Sequence, residues 1–125
     1  MLPFTIEFKP GTPVSEQLAY AVKKAAISGQ LQPGERFPSV RVLSQELRIN
    51  PNTAHKVVAA LVAEGFLEVH PGIGTVVGKT PQGTAQQRGE LLGAEVERLV
   101  VEAKKLRLPL SDVQDAIEHH WERLS

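Results

Sequence analysis

The chain has no cysteine among its 125 residues. That excludes disulfides and thiolate metal sites, and it fits a reducing, cytoplasmic setting. No apolar run approaches the roughly 18 residues that a membrane-spanning helix needs. No basic-then-apolar stretch opens the chain, so no export signal is expected. Net charge is missing too: 14 Lys and Arg balance 14 Asp and Glu. Binding to a polyanion is therefore not announced by overall charge, and local placement has to decide. Residues 1–80 hold eight Lys/Arg against six Asp/Glu, and residues 81–125 hold six against eight, so the front is mildly basic and the back mildly acidic. The glycines form neither a Walker A loop nor a dinucleotide fingerprint, and no nucleophile–base–orienter set stands out. No enzymatic activity and no cofactor are expected. Asp115, Glu118, His119, His120 and Glu122 cluster in sequence without the spacing of a known metal motif, so they are read as a solvated helix face with no metal assigned. No internal repeat is evident.

What is present is organised around Pro38 to Gly65. Val40, Leu43 and Leu47 recur at i, i+3 and i+7, one face of a helix that Ser39 can cap. Asn50-Pro51 restarts the chain with a capping side chain followed by Pro at the first helical position. Ala54, Val57, Val58, Leu61 and Val62 then form a second apolar stripe ending near Gly65. Helix, three-residue turn and helix make the helix-turn-helix geometry. With 42% hydrophobic and 22% charged residues, the chain has the make-up of a folded globular protein that can support it.

Upstream, Phe4 to Phe8 alternates apolar and polar residues and predicts a short strand. Val14 to Ser28 predicts a helix with Leu18, Val22 and Ala25 facing inward and Gly29 as its stop. Leu31 to Pro38 is a connector in which Pro33-Gly34 has type II turn chemistry. After Gly65 the period changes. Phe66–Val69 and Thr75–Val77 are strand-like around His70-Pro71-Gly72-Ile73-Gly74, which predicts a β-hairpin. A hairpin directly after a helix-turn-helix is a wing.

Gly78 to Gln87 is polar and turn-rich, so it is read as a linker. Beyond it Leu92, Val96, Leu99, Ala103 and Leu106 are spaced 4, 3, 4 and 3, with Val100 widening the seam. Pro109 is expected to break that helix, and Ser111 with Gln114 to form a capping box for a last one. There Leu110, Val113, Ile117, Trp121 and Leu124 again run at 3 and 4. Two helices of this size cannot bury such stripes on each other alone. Either the front of the same chain or the same pair from a second chain must cover them, and the second fits a loose linker better. The expected fold is mainly α with a small β-hairpin: a winged helix-turn-helix domain at 1–78, a linker at 79–87 and a two-helix dimerisation tail at 88–125. Leu92, Val96, Leu99, Val100, Leu106, Val113, Ile117 and Trp121 are the expected dimer contacts.

Leu31, Pro33, Gly34, Phe37, Pro38, Ser39, Arg41, Leu43, Leu47, Asn50, Asn52, Thr53, Leu61, Gly65 and Gly74 carry a family likeness. Over residues 10–78 the chain resembles the N-terminal domain of GntR-type bacterial transcription regulators. Its length and its tail of two helices are similar to the short YtrA-type subfamily; the chain has no room for the large effector-binding domain of longer members. The resemblance implies a homodimeric repressor of an inverted-repeat DNA operator, usually controlling an operon with a transporter. It names no small-molecule effector.

At 100° per residue, Asn52, Lys56, Ala59 and Ala63 lie opposite the apolar stripe of the second motif helix, flanked by Thr53 and His55. Asn can pair with adenine in the major groove, Thr can meet a base edge or a thymine methyl, and Lys56 can reach a phosphate or guanine. The competing reading makes Asn50, Asn52 and Thr53 helix-start chemistry alone. Arg41, Gln45 and Arg48 form a polar edge of the first motif helix that can clamp the DNA backbone, and Arg36 is a similar phosphate candidate. The plain alternative for these is a solvated face. Arg41 matches the family's DNA-contacting arginine. Relatives often carry Arg where Pro51 stands, so their base preference is not carried over. At the wing tip Gly72 and Gly74 permit close backbone approach, with His70 beside them and Lys79 a weaker candidate; equally, the glycines only close a hairpin. The rival function is a winged-helix protein-interaction module with a helical docking tail, favoured by zero net charge and a mildly acidic tail.

Overall fold

Helix formation in the first half follows the apolar spacing. The computed structural model describes residues 1–124. Helix α1 spans Val14–Ile27 and buries Leu18, Val22 and Ala25. Helix α2 spans Val40–Leu47, with the Ser39 hydroxyl accepting from the Val42 N–H as its N-cap. Helix α3 spans Pro51–Glu64 and buries Ala54, Val57 and Leu61. These faces meet Phe4, Leu31, Phe37, Leu67 and Val77 in one core. Across it Phe4 and Phe37 stack with ring centroids 5.9 Å apart.

The expected strand at Phe4–Phe8 is absent: the segment is coil after a bend at Phe4 and pairs with no strand. Its side chains serve the core instead, Phe4 buried and Leu2 and Ile6 packed at the edge. At Lys9 both backbone polar groups are taken by Gln17, whose side-chain oxygen accepts from the N–H and whose amide donates to the C=O, each at 2.8 Å. Alternation here reflects one side on a core, which a strand and an unpaired segment share.

Strands β1, Leu67–His70, and β2, Gly74–Val77, form the antiparallel hairpin, with Leu67 opposite Val77 and His70 opposite Gly74. Phe66 falls outside β1 because its N–H closes the end of α3, donating to the Leu61 carbonyl at 3.0 Å while the Gly65 N–H donates to Val62 at 3.1 Å. The connector also joins this sheet. The Phe37 N–H donates to the Thr75 carbonyl at 2.9 Å, and the Val77 N–H donates to the Glu35 carbonyl at 2.8 Å, placing Arg36 opposite Val76. The Pro33-Gly34 turn forms as expected, with the Glu35 N–H on the Gln32 carbonyl at 3.0 Å. Gly78 ends the wing where only glycine fits, since a Cβ there would lie 2.6 Å from the Gly65 carbonyl oxygen.

Residues from Gln82 onward form a second compact unit. The stretch expected to be a linker is shorter than 79–87, because helix α4 begins at Ala85 and runs to Glu90. Thr84 and Gln87 cap it reciprocally, the Thr84 hydroxyl on the Gln87 N–H and the Gln87 side chain on the Thr84 N–H. That Thr-x-x-Gln pattern was a legible start signal within a run that reads as polar linker. A π-helical turn, Leu91–Glu95, leads without a break into α5, Val96–Lys105. Gly89 and Gly93 flank and enter that turn, where α-helical propensity is lowest by about 1 kcal/mol per glycine.

Helix α5 ends before Pro109 can act. The Leu108 N–H donates to the Ala103 carbonyl at 2.9 Å and the Arg107 N–H to Lys104 at 3.0 Å, with Arg107 in the left-handed region at φ 59°. Helix α6 then runs Leu110–Arg123. The capping box expected at Ser111 and Gln114 does not form: Ser111 lies inside the first turn and no side chain caps the helix. Pro109 already supplies the extended entry residue, and its carbonyl accepts from the Asp112 N–H at 3.1 Å.

Candidate nucleic-acid interface

Helix α3 is oriented by its buried stripe and started by its cap. The Asn50 side-chain oxygen accepts from the Asn52 N–H at 2.8 Å, which commits the Asn50 side chain to the helix start. The Asn52 side-chain amide is left out of that cap. With Ala54, Val57 and Leu61 turned inward, Asn52, His55, Lys56, Ala59, Ala60 and Ala63 are exposed. Thr53 is half-buried, at the margin of this face rather than on it.

The turn between α2 and α3 depends on Arg48, a left-handed residue at φ 54° that caps α2 with its N–H on the Ser44 carbonyl. The sequence marks Arg48 as a phosphate candidate or a solvated side chain; its backbone also ends α2 in the left-handed conformation. Arg48→Gly separates the roles, because glycine adopts this conformation without strain. The variant is expected to melt at or above the wild-type temperature, by up to about 1 kcal/mol of added stability, while losing any contribution of the guanidinium to duplex binding. Thermal melts alongside binding titrations check this, and a clear loss of stability would show that the side chain itself holds the turn.

Arg36, Arg41 and Arg48 are exposed. Among the described residues their side chains, with those of Asn52, His55 and Lys56, make no hydrogen bond or ion pair to the protein. Arg36 is held by its backbone in the sheet edge, so its side chain starts from a fixed place. His70 is half-buried, and its Nε2 lies 2.9 Å from a Glu68 carboxylate oxygen. At the wing tip the Ile73 N–H donates to the His70 carbonyl at 3.0 Å across Pro71-Gly72. Gly72 and Gly74 take φ values of 80° and 109°, so both are required by the tight return as well as exposed. Ile73 is exposed between them, a group that the sequence marked only as an apolar residue between two glycines. Lys79 is exposed just beyond the wing.

In the second unit the apolar side chains expected at a seam lie at the surface of the chain. Leu92, Val96, Leu99, Val100, Leu106, Ile117 and Trp121 are exposed, Leu92 at 73% and Trp121 at 77%, and Val113 is half-buried. Ala103 is the one buried residue of α5. Between α5 and α6 lies an apolar groove of about 570 Å³, walled by Leu99, Ala103, Leu106, Val113, Ile117 and Trp121 among others. Among the described residues no His, Asp and Glu group is placed to hold a metal ion, and no helix is long and apolar enough to cross a membrane.

Residues 14–77 match the family model described as bacterial regulatory proteins, gntR family. The chain is 27% identical over 117 residues to the HTH-type transcriptional repressor YtrA of Bacillus subtilis (strain 168), covering 93% of this chain and 86% of that protein. Its fold is similar to a crystal structure titled as a transcriptional antiterminator from Listeria monocytogenes EGD-e, with a TM-score of 0.82, 21% identity, and coverage of 97% of this chain and 91% of that one. YtrA from Sulfolobus acidocaldarius, described as a GntR-family transcription factor, superposes with a TM-score of 0.59 at 28% identity over 78% of this chain and 96% of its own.

Proposed function

The chain belongs to the gntR family of bacterial regulatory proteins, and for this DNA-binding transcription regulator we propose a homodimeric repressor of an inverted-repeat operator. The observation that carries the reading is α3: its apolar side is sealed in the core while Asn52, His55 and Lys56 stand exposed and unpaired on the other. Burial holds the helix still, and the unpaired groups lose only water on meeting a duplex. Residues 1–78 then read DNA, with α3 in the major groove, Arg41 of α2, Arg48 and Arg36 on phosphates, and the Gly72–Gly74 wing tip beside the backbone or minor groove. Residues 88–125 pair two chains through the open seam, setting two α3 helices about 34 Å apart or a multiple of that. The name of the Bacillus subtilis relative supports repression. The cytoplasm, where promoter DNA is found, is the setting this function requires.

Replacing both Arg41 and Lys56 with Ala is the direct test. Each lost phosphate contact is expected to lower the slope of log affinity against log salt by about 0.9, so the double variant should lose nearly two units of slope along with affinity. Titration of an operator duplex between 50 and 200 mM salt, on the order of physiological, reads both quantities. Unchanged affinity and slope would rule out this face. The exposed, mildly acidic tail leaves a protein-docking module as the rival, and failure of the full chain to be retained on duplex DNA at moderate salt would favour it.

A further inference from the structure

The groups that α3 offers a duplex are chemically narrow. From Pro51 to Glu64 there is no Arg, Gln or Asp. The one acid, Glu64, is ion-paired with Lys23 at 3.2 Å. The guanidinium fork for guanine and a free carboxylate for cytosine are therefore missing from this helix, and Lys56, which can serve a guanine or a phosphate, is its single cation besides the imidazole of His55. Asn52 keeps a side-chain amide with a donor and an acceptor side by side, because the cap uses Asn50 oxygen and only the Asn52 backbone N–H. That pair matches adenine. Seven residues further along, nearly two full turns, Ala59 falls within about 20° of the Asn52 direction. It is exposed, and the side chain between it and Asn52 on that face is the flexible Lys56, which can turn toward a phosphate.

Resting on the DNA-binding reading above, we propose that Asn52 and Ala59 together select an A·T-rich half-site, Asn52 pairing with an adenine and the Ala59 methyl group packing on a thymine C5-methyl. The helical rise between the two residues is about 10.5 Å. In a major groove, residues about three apart on one helix face meet successive bases, so this places the thymine methyl roughly two to three pairs from the adenine, on either strand. An exposed alanine methyl has no hydrogen-bond capacity, so what it can discriminate in the groove is the presence of another methyl. A longer side chain at 59 would hold the helix out and remove both contacts.

Duplexes selected by the full-length chain from a random pool supply the probe. The expected half-site has an adenine and a thymine roughly two to three pairs apart, and the adenine preference is lost in Asn52→Ala. Replacing that thymine with uracil removes the methyl and keeps the base pairing. Binding by the wild type is expected to weaken roughly fourfold, the value of one buried methyl group. Ala59→Gly is expected to bind the thymine and uracil duplexes equally. Ala60→Gly, with the same loss of helix propensity on a different face, is expected to keep the fourfold preference. Equal binding of the two duplexes by the wild type, or loss of the preference in both glycine variants, overturns the methyl contact while leaving DNA recognition intact. Failure to enrich any duplex would instead sink the DNA-binding reading beneath it.

Discussion

A chain cut after Pro81 is expected to be a folded monomer that binds an inverted-repeat duplex on the order of a hundredfold or more weakly than the intact protein. The reason lies in how the two units are built. All twelve residues of the main core lie between Phe4 and Val77, so the front unit keeps its core when the tail is gone. The tail carries an exposed apolar seam that a single chain leaves in water. At about 25 cal/mol per Å² of apolar surface, covering such a seam is a strong drive to pair. In the proposed dimer, pairing would turn the second half-site contact into an intramolecular step, and effective concentrations near the millimolar range would account for the lost affinity. Sedimentation of the shortened chain and titration of a palindromic duplex read the two halves of the claim. A shortened chain that still sediments as a dimer would place the interface elsewhere. Leu99→Glu with Ile117→Glu in the intact chain should give the same monomer through a charged seam, without removing any residue.

Leu61→Ala is expected to cost about 2–5 kcal/mol of stability, a large part of the roughly 5–15 kcal/mol that holds a small domain together. Leu61 has no exposed surface, and its carbonyl accepts the Phe66 N–H that ends α3. Truncation leaves a cavity where α3 meets the core, and close packing lets it collapse only in part. The melting temperature and duplex binding should fall together. Lys56→Ala, five residues earlier and exposed, should shift stability by no more than about 0.5 kcal/mol while weakening binding. The contrast tests whether the two sides of one helix are energetically separate. A Leu61→Ala protein that melts like wild type would mean that α3 is held by something other than its apolar stripe.

Much of the front unit was legible in advance because its signals are local. Ser39, the Asn50-Pro51 step and Gly65 act within one turn of where they stand, and spacing of 3 and 4 names the buried side of each helix. The same locality marked Asn52 and Lys56 as outward-facing. Phe4–Phe8 alternates without being a strand, because alternation records which side meets the core and is silent on whether a neighbouring strand exists. The pairing of Arg36 with Val76 joins positions 40 residues apart, and no short-range pattern could announce it.

From the sequence alone came a first helix, a helix-turn-helix with its wing, an outward polar face on α3, and a tail with more apolar surface than two helices can hide. Tertiary structure decided which of the outward groups remain available. It engaged His70 with Glu68, drew Thr53 halfway under, required a left-handed backbone at Arg48 and left Asn52 and Lys56 unpaired. The physical reason is that a helix periodicity fixes the direction of a side chain relative to its own axis. Whether that side chain finds a partner depends on the backbone around it: a strand puts Glu68 and His70 on one side, and the fold decides what else comes near.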